Sequence, residues 1–481
     1  MTDELHADLV VLGAGPAGGH AALAASGAGL DVVLIDEGTA PGGQVWRAPG
    51  PGLAVTVPAA LGPDHRAGEA LRRALAASTV RIMNVHRAWL LQPGFVVHAA
   101  GPDGDTRVHA RALLLAPGTS ERVIPFAGWT LPGVIGLAGA TALLKGNRML
   151  PGHDVVVAGA GPLLLAVAAA ILKGGGKVAA VVDLAATTDW LRAVPAMRGR
   201  PDLLLRGLGW RALLHRHRVP YLARHAVLHA EGTDAVTAVT VAPVDRDGRF
   251  TPGATPRRFA ADALAIGHGL VPATEAARLL GARHRHVPAL GGWVPELDPL
   301  GRSSVAGLSI AGDGAGVRGA ASAALAGTRA GLAVAHDLGR LDAVRHAAMQ
   351  RPLATQAARA DRFGGAMAAL MQLRPGLVKA IPSEIVICRC EDVTRQEIEA
   401  AFDEGARQIG QLKAWTRCGM GPCQGRICGP TIEALAARRG IAPEDFGPMV
   451  ARPPLRPTTI HTLTGDFDPA ALILPPSLPS G

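Results

Sequence analysis

No cysteine precedes Cys388 in this chain of 481 residues. That absence excludes a secreted disulfide scaffold, whose cysteines would be spread through a small domain. It also excludes a Cys-x-x-Cys redox pair anywhere in the first three-quarters of the sequence. Lysine is scarce, with five among 48 basic residues, so the formal charge of +9 rests on arginines scattered along the chain. Without a basic stripe or a base-stacking motif, nucleic acid is not an expected partner. Aromatic residues make up 3%, including a single tyrosine, so the cores must be built from Leu, Val, Ile and Ala. Hydrophobic content of 48% against 18% charged residues fits a compact fold and not a disordered chain. The opening MTDELHADLVVLGAGPAG has neither the basic region nor the cleavage site of a signal peptide, so a cytoplasmic location is expected. An uncharged run of 18 residues, Val155–Leu172, is long enough to imitate a membrane span. Gly159-Ala160-Gly161-Pro162 interrupts it where a strand would turn into a helix, so no transmembrane segment is expected.

What the sequence does contain is a repeated pattern. Leu9–Leu12 is apolar and leads into Gly13-Ala14-Gly15-Pro16-Ala17-Gly18, an Ala-rich helical stretch, and a second apolar run, Val32–Ile35, capped by Asp36-Glu37. The series recurs about 146 residues later: Val155–Val157, Gly159-Ala160-Gly161-Pro162, an apolar helix, then Val178–Val182 and Asp183. Two such βαβ openings imply two nucleotide-binding folds with parallel sheets.

The first loop has its full context of strand, helix and an acidic strand end 23 positions beyond Gly13. Gly13 permits the turn, Gly15 lets backbone N–H groups approach a pyrophosphate, and Gly18 lets helix and strand pack closely. The pyrophosphate would rest on the helix N-terminus, begun by Pro16-Ala17, with Asp36 accepting from the adenosine ribose and Glu37 beside it. Pro41-Gly42-Gly43-Gln44 supplies a donor-rich loop on the flavin side. Ala116-Pro117-Gly118 ends one further strand, and Gly312-Asp313 places a carboxylate at the end of another. The second loop is altered: Leu164 stands at the third glycine position and should force the helix off its strand or a repacking. Nicotinamide binding through Gly159, Gly161 and Asp183, binding of another adenine nucleotide, and a vestigial fold all remain open.

At Gly13–Gly18, Ala116-Pro117-Gly118 and Gly312-Asp313, over roughly residues 6–340, the chain resembles the two-domain flavoproteins similar to thioredoxin and glutathione reductases. That resemblance implies FAD, with Asp313 as a ligand of its ribityl side and Gly43, Gln44, Ala116, Gly118 and Gly312 around it.

The five cysteines fall within 41 residues. Cys388-Arg389-Cys390, a gap of 27 residues, and Cys418-Gly-Met-Gly-Pro-Cys423 give four thiolates in two pairs, which a [2Fe–2S] centre requires. Structural zinc also accepts four cysteines, but the one-residue gap at 388/390 suits it poorly. Cys428 continues an even series with Cys418 and Cys423 and is an alternate ligand. The run between the pairs reads as a helix, a break at Gly405, and a second helix.

ICRCEDVT and QLKAWTRCGMGPCQGRICGP resemble the ferredoxin-like domain of bacterioferritin-associated ferredoxin and nitrite reductases, although those carry a Cys-x-x-Cys second pair. CGMGPCQGR, PFAGWTLPGV at Pro125–Val134 and RPPLRP near Arg452 narrow the resemblance to the flavin subunits of hydrogen cyanide synthase, opine oxidases and hydroxyproline dehydrogenases. It covers nearly the whole chain. It implies an electron-transfer subunit carrying FAD and [2Fe–2S]. The chain would work beside a second FAD-containing catalytic subunit of the amino-acid-oxidase type and a small third subunit, with peripheral attachment to a membrane open. The alternatives are a non-catalytic assembly subunit or a self-contained NADH-dependent diaphorase. No residue is an evident substrate acid or base, and His268, at a strand end, reads as structural.

The expected architecture is therefore α/β, with two Rossmann-like domains. The FAD domain is discontinuous (1–121 and 263–341) around a second nucleotide domain (122–262). A helical connector (342–380), a small helical [2Fe–2S] domain (381–445) and a Pro-rich, extended tail (446–481) follow.

Overall fold

The structure, a computed structural model, describes residues 3–53 and 62–464; the last stretch of the expected tail lies outside these. Strand β1 (Asp3–Leu12) runs into helix α1 (Pro16–Gly27) and strand β2 (Val32–Asp36). After α2 (Gly62–Ala76) come β3 (Arg81–Asn84), β4 (Arg87–Gln92), β5 (Val96–Gly101) and β6 (Gly104–Leu115). They form one sheet in the order β3-β2-β1-β6-β5-β4, with Leu308–Ile310 also pairing parallel to β6. β1, β2, β3 and β6 are parallel where nucleotide folds need them, while β4 and β5 form an antiparallel extension. Leu9–Val11 and Val32–Leu34 are fully buried, as strands covered on both faces must be.

β7 (Thr119–Glu121) leaves this domain. The second sheet contains β8 (Val134–Gly136), followed by helix α3 (Leu137–Ala142), then β9 (Asp154–Gly159), α4 (Pro162–Lys173) and β10 (Lys177–Asp183). Helices α5 (Thr187–Met197) and α6 (Pro201–Arg216) precede β11 (Tyr221–Ala223). An antiparallel sheet of β12 (His225–Glu231), β13 (Ala238–Pro243) and β14 (Arg257–Ala260) covers one face. β15 (Ala263–Gly267) completes the order β11-β10-β9-β15-β8. The return to the first domain, expected at 263, therefore lies beyond Gly267, because Ala263–Gly267 pairs with β9 as β6 pairs with β1. β16 (Leu270–Pro272) pairs antiparallel with β7 and makes the two-strand link between the domains.

The membrane-like run thus resolves into β9 and α4, and among the described residues no helix is long and apolar enough to cross a membrane. Leu164 is fully buried with Val155, Val157 and Ile171. The expected misfit is absorbed by packing, and the helix keeps its place.

Helix α7 (Glu275–Leu279), the hairpin β17 (His284–Val287) and β18 (Gly292–Pro295), strand β19 (Leu308–Ile310) and helix α8 (Ala320–Asp337) complete the first domain. α8 lies on α1 at backbone distance: a Cβ added at Gly327 would stand 2.0 Å from the Ala17 carbonyl oxygen, and one at Gly331 2.3 Å from that of Ala21. Helix α9 (Ala343–Leu370), begun by the Asp342 carboxylate accepting the Arg345 N–H, and α10 (Pro375–Lys379) form the connector.

The C-terminal domain has a short hairpin, β20 (Val386–Cys388) with β21 (Val393–Thr394), then α11 (Arg395–Asp403), α12 (Ile409–Thr416) and α13 (Gly429–Arg438). Thr394 and Glu397 cap α11 reciprocally, and Gly405 takes φ +109° at the break that separates it from α12. The Pro-rich segment that follows does not trail away. Leu455 is buried against the first domain and its N–H donates to the Trp89 carbonyl (2.7 Å). Gln424 Nε2 and Arg426 Nη2 donate to the Pro454 and Leu455 carbonyls (2.6 and 2.7 Å). This strap ties the C-terminal domain to β4.

Gly327→Val should force α8 off α1. The expected loss is about 3 kcal/mol, at the upper end for overpacking, read as a lower urea midpoint.

Candidate redox sites

The first glycine loop is crowded where the chain must be tight and open where a ligand must approach. A Cβ on Gly13 (φ +99°) would meet the Ala116 carbonyl oxygen at 2.4 Å, and one on Gly18 the Gly13 oxygen at 1.7 Å. On Gly15 it would meet nothing nearer than Gly43 Cα at 3.9 Å. Pro16 and Ala17 open α1, so its unpaired N–H groups face this space. The Asp36 carboxylate accepts the Ala14 N–H (2.6 Å) and the Gly38 N–H (2.7 Å). Burial pushes its pKa up, and those two N–H groups oppose the rise. Glu37 is exposed beside it. Gly43 folds over Gly15, while Gln44 is exposed and accepts from Arg47 (2.5 Å).

Gly312, at φ +77°, lies against Ala17 of α1. One oxygen of Asp313 accepts the N–H groups of Arg318 (2.9 Å) and Gly319 (2.8 Å), and burial pushes this carboxyl up as well. Ala116 and Gly118 close the far side through Gly13 and Gly314. Narrow glycine clearances, a free helix N-terminus and a carboxylate at each end fit a dinucleotide such as FAD.

The second loop is different. Gly159 is as tight as Gly13, with 1.8 Å from a notional Cβ to the Gly267 oxygen. Gly161, the counterpart of Gly15, is covered: its notional Cβ would lie 2.4 Å from Met371 Cγ and 2.9 Å from Met371 Sδ. Asp183 is fully buried. Its carboxylate accepts the Ala185 N–H (2.8 Å), the Trp190 Nε1–H (2.9 Å) and the Tyr221 hydroxyl. Met371 arrives at the end of α9, whose Met367 and Leu370 pack with Ala185, Ala193 and Met197.

Sequence reasoning missed Met371 and Arg122. Arg122 is 7% exposed, and its guanidinium donates to the carbonyls of Gly291 (2.8 Å), Met371 (3.3 Å) and His268 (3.5 Å). The only signal was its place just after β7. His268 is buried beside it, and burial pulls its pKa down to about 4. Glu121, also unforeseen, accepts backbone N–H groups at the start of α3, and burial pushes it up to about 7.

All five cysteines come together. The sulfurs of Cys388, Cys418 and Cys428 lie within 4.8 Å of one another, all buried, and Cys390 Sγ is 3.8 Å from Cys423 Sγ. The Gly419 N–H points at Cys388 Sγ (3.4 Å), and neighbouring thiols and N–H groups pull that thiol down to about 2. A Cβ at Gly421 would stand 2.1 Å from that of Cys390, so the loop needs glycine there to wrap the sulfurs. Two irons need four of these five sulfurs, and the donor set fits them. Cys428 stands at the N-cap of α13, whose dipole favours a thiolate, whereas Cys418 follows the C-terminal end of α12; the neighbouring thiols and burial push both thiols up.

Residues 7–331 match the family of pyridine nucleotide-disulphide oxidoreductases, and residues 386–438 match the BFD-like [2Fe-2S] binding domain. The chain is similar to an opine oxidase subunit of Rhizobium meliloti (strain 1021), 35% identical across 96% of this chain and 99% of that one. It is also similar to the hydrogen cyanide synthase subunit HcnB of Pseudomonas aeruginosa, 35% identical across 93% and 96%. Among solved structures, L-proline dehydrogenase from P. horikoshii shares the fold with a TM-score of 0.68 at 20% identity, covering 96% of this chain and 80% of that one.

Asp313→Ala removes the carboxylate between Gly312 and the two N–H donors. Purified protein of unchanged far-ultraviolet circular dichroism should carry at least tenfold less flavin per chain, measured by absorbance after acid release.

Proposed function

This chain belongs to the pyridine nucleotide-disulphide oxidoreductase family, joined here to a BFD-like [2Fe-2S] domain, and on that premise we propose that it is the electron-transferring subunit of a heteromeric, FAD-dependent dehydrogenase of amino-acid-type donors. The observation that carries the reading is the pairing of an open first loop with a blocked second one, in a chain whose only other redox ligands are the clustered sulfurs. Bound in these sites, the flavin supplies two-electron acceptance with single-electron release, and the cluster supplies single-electron conduction.

The residues divide the work. Gly13, Gly15 and Gly18 shape the dinucleotide seat, α1 presents its N–H groups to the pyrophosphate, and Asp36 and Asp313 hold the two ends. Met371 excludes a nucleotide from Gly161, and Asp183 is spent on Tyr221 and Trp190. We infer that electrons do not enter from a nicotinamide there. Cys388, Cys390, Cys423 and Cys428 hold the irons, with Cys418 as the buried fifth thiol, because Cys428 alone of the two has a helix N-terminus behind it. Cys390 is exposed, and Met420 in the facing loop is 46% exposed, so the sulfur cluster reaches the surface where a partner can approach.

Likeness along nearly the whole chain to HcnB and to the opine oxidase subunit, each named as one part of a larger enzyme, supports oxidation of the C–N bond on a second, FAD-containing catalytic subunit. A small third subunit completes the proposed assembly, and the donor is an amino acid or an opine.

Two measurements check this reading. Anaerobic NADH should leave the flavin absorbance of the isolated chain unchanged, and the donor should reduce it only when the partner is present; bleaching by NADH alone would return the diaphorase reading. The low-temperature paramagnetic signal of the dithionite-reduced protein should vanish in Cys390→Ser and Cys428→Ser and persist in Cys418→Ser.

A further inference from the structure

A cavity of about 480 Å³ lies between the two-strand link, the connector and the C-terminal domain, and no part of the relay uses it. Its size is that of a small-molecule site. Pro272, Leu373 and Val378 give it apolar walls, and four arginines and two glutamates give it charge.

Part of that charge is already committed. Arg122 donates to three carbonyls. Arg426 pairs with Glu275 (2.9 Å) and donates to the Cys423 and Leu455 carbonyls. Among the described residues three charges are left without a hydrogen bond or ion pair: Arg438, which is exposed, and the enclosed Arg278 and Glu433. Among the described residues, neither the Arg278 guanidinium nor the Glu433 carboxylate makes a hydrogen bond or an ion pair within 4.0 Å, and Arg278 Nε is buried with no partner. At longer range Arg278 feels Glu275 and then Glu433, and Glu433 feels Arg278 and Arg122. Two enclosed charges of opposite sign, held apart across one space, are costly, and a ligand that carries both complementary charges relieves both.

A phosphate or a simple dicarboxylate would satisfy Arg278 but meet Glu433 with a like charge. An amine alone would do the reverse. We propose that this cavity binds a small α-amino acid, primary or secondary, with its carboxylate on Arg278 and its ammonium on Glu433. The inference goes beyond the relay reading, which places the oxidised donor on another subunit, and depends on none of it.

Burial raises the Glu433 carboxyl to about 7, against the pull of Arg278 and Arg122. Without ligand it is half protonated near neutrality, and it must be ionised to take an ammonium. Affinity should therefore fall as pH drops below 7, about tenfold from pH 8 to pH 6. Of the other groups on the walls, Glu275 is paired with Arg426, Arg438 is exposed, and burial holds His286 below its ordinary range.

The test is isothermal titration calorimetry on the full-length chain with its flavin and cluster. Glycine and L-proline are compared with propionate, ethylamine and inorganic phosphate. One equivalent of amino acid should bind, with propionate, ethylamine and phosphate at least tenfold weaker. Glu433→Gln, which keeps the side-chain shape, should weaken glycine at least tenfold. Should that variant fail to fold, the pH profile of the unaltered chain decides. Equal binding of propionate, preference for phosphate, an affinity flat between pH 8 and pH 6, or no binding of any probe would overturn the assignment.

Discussion

One buried guanidinium fixes how the parts of this molecule sit together. Arg122 follows the strand that leaves the first domain, and it bonds to carbonyls of the second domain's last strand end, of the β17–β18 hairpin, and of the residue that ends α9. A permanent cation enclosed this far is tolerated only if its donors are satisfied. Three carbonyls from three segments accept from it, so each segment is held relative to the others. Met371 is one of them, and the same residue lies against Gly161. The contact that satisfies the arginine is therefore also the contact that closes the second loop.

Helix α9 extends this coupling to the first site. At Gly364 a Cβ would come within 2.1 Å of the Arg318 carbonyl oxygen, and the Arg318 N–H is one of the two donors on Asp313. One helix thus supports the Asp313 carboxylate and ends in the methionine that lies against Gly161. The two nucleotide folds share a topology, β6 and β15 being equivalent additions beside β1 and β9. What distinguishes their loops is a segment belonging to neither.

The legible parts of this protein were those whose reason is local. A glycine loop, its preceding strand, its helix and the acidic strand end sit within some thirty residues of sequence, and the Gly13, Gly18 and Gly159 contacts follow the pattern that spacing implies. The five cysteines were equally visible, since their clustering lies within one short domain. Arg122 is one more arginine in an arginine-rich chain, and nothing nearby marks it. Met371 reaches Gly161 across 210 positions, and Glu433 faces Arg278 across 155. Such encounters depend on how domains pack, which no periodicity encodes. The position of β15 was misjudged for a related reason: an apolar run names a strand but not the sheet that takes it. Leu164 takes the second of its two expected courses, a repacking with the helix in place. A leucine in place of a glycine is disruptive only if no neighbouring hollow receives it, and here Val155, Val157 and Ile171 do.

The proline-rich strap carries a consequence of its own. Leu455 is stapled to the Trp89 backbone while Gln424 and Arg426, either side of a glycine just past Cys423, grip the same strand of chain from below. A carrier that swings between donor and acceptor needs slack in its tether, and this one has been taken in. The separation between the clustered sulfurs and the first glycine loop is thereby set by architecture, as in a soldered joint and not a sliding brush.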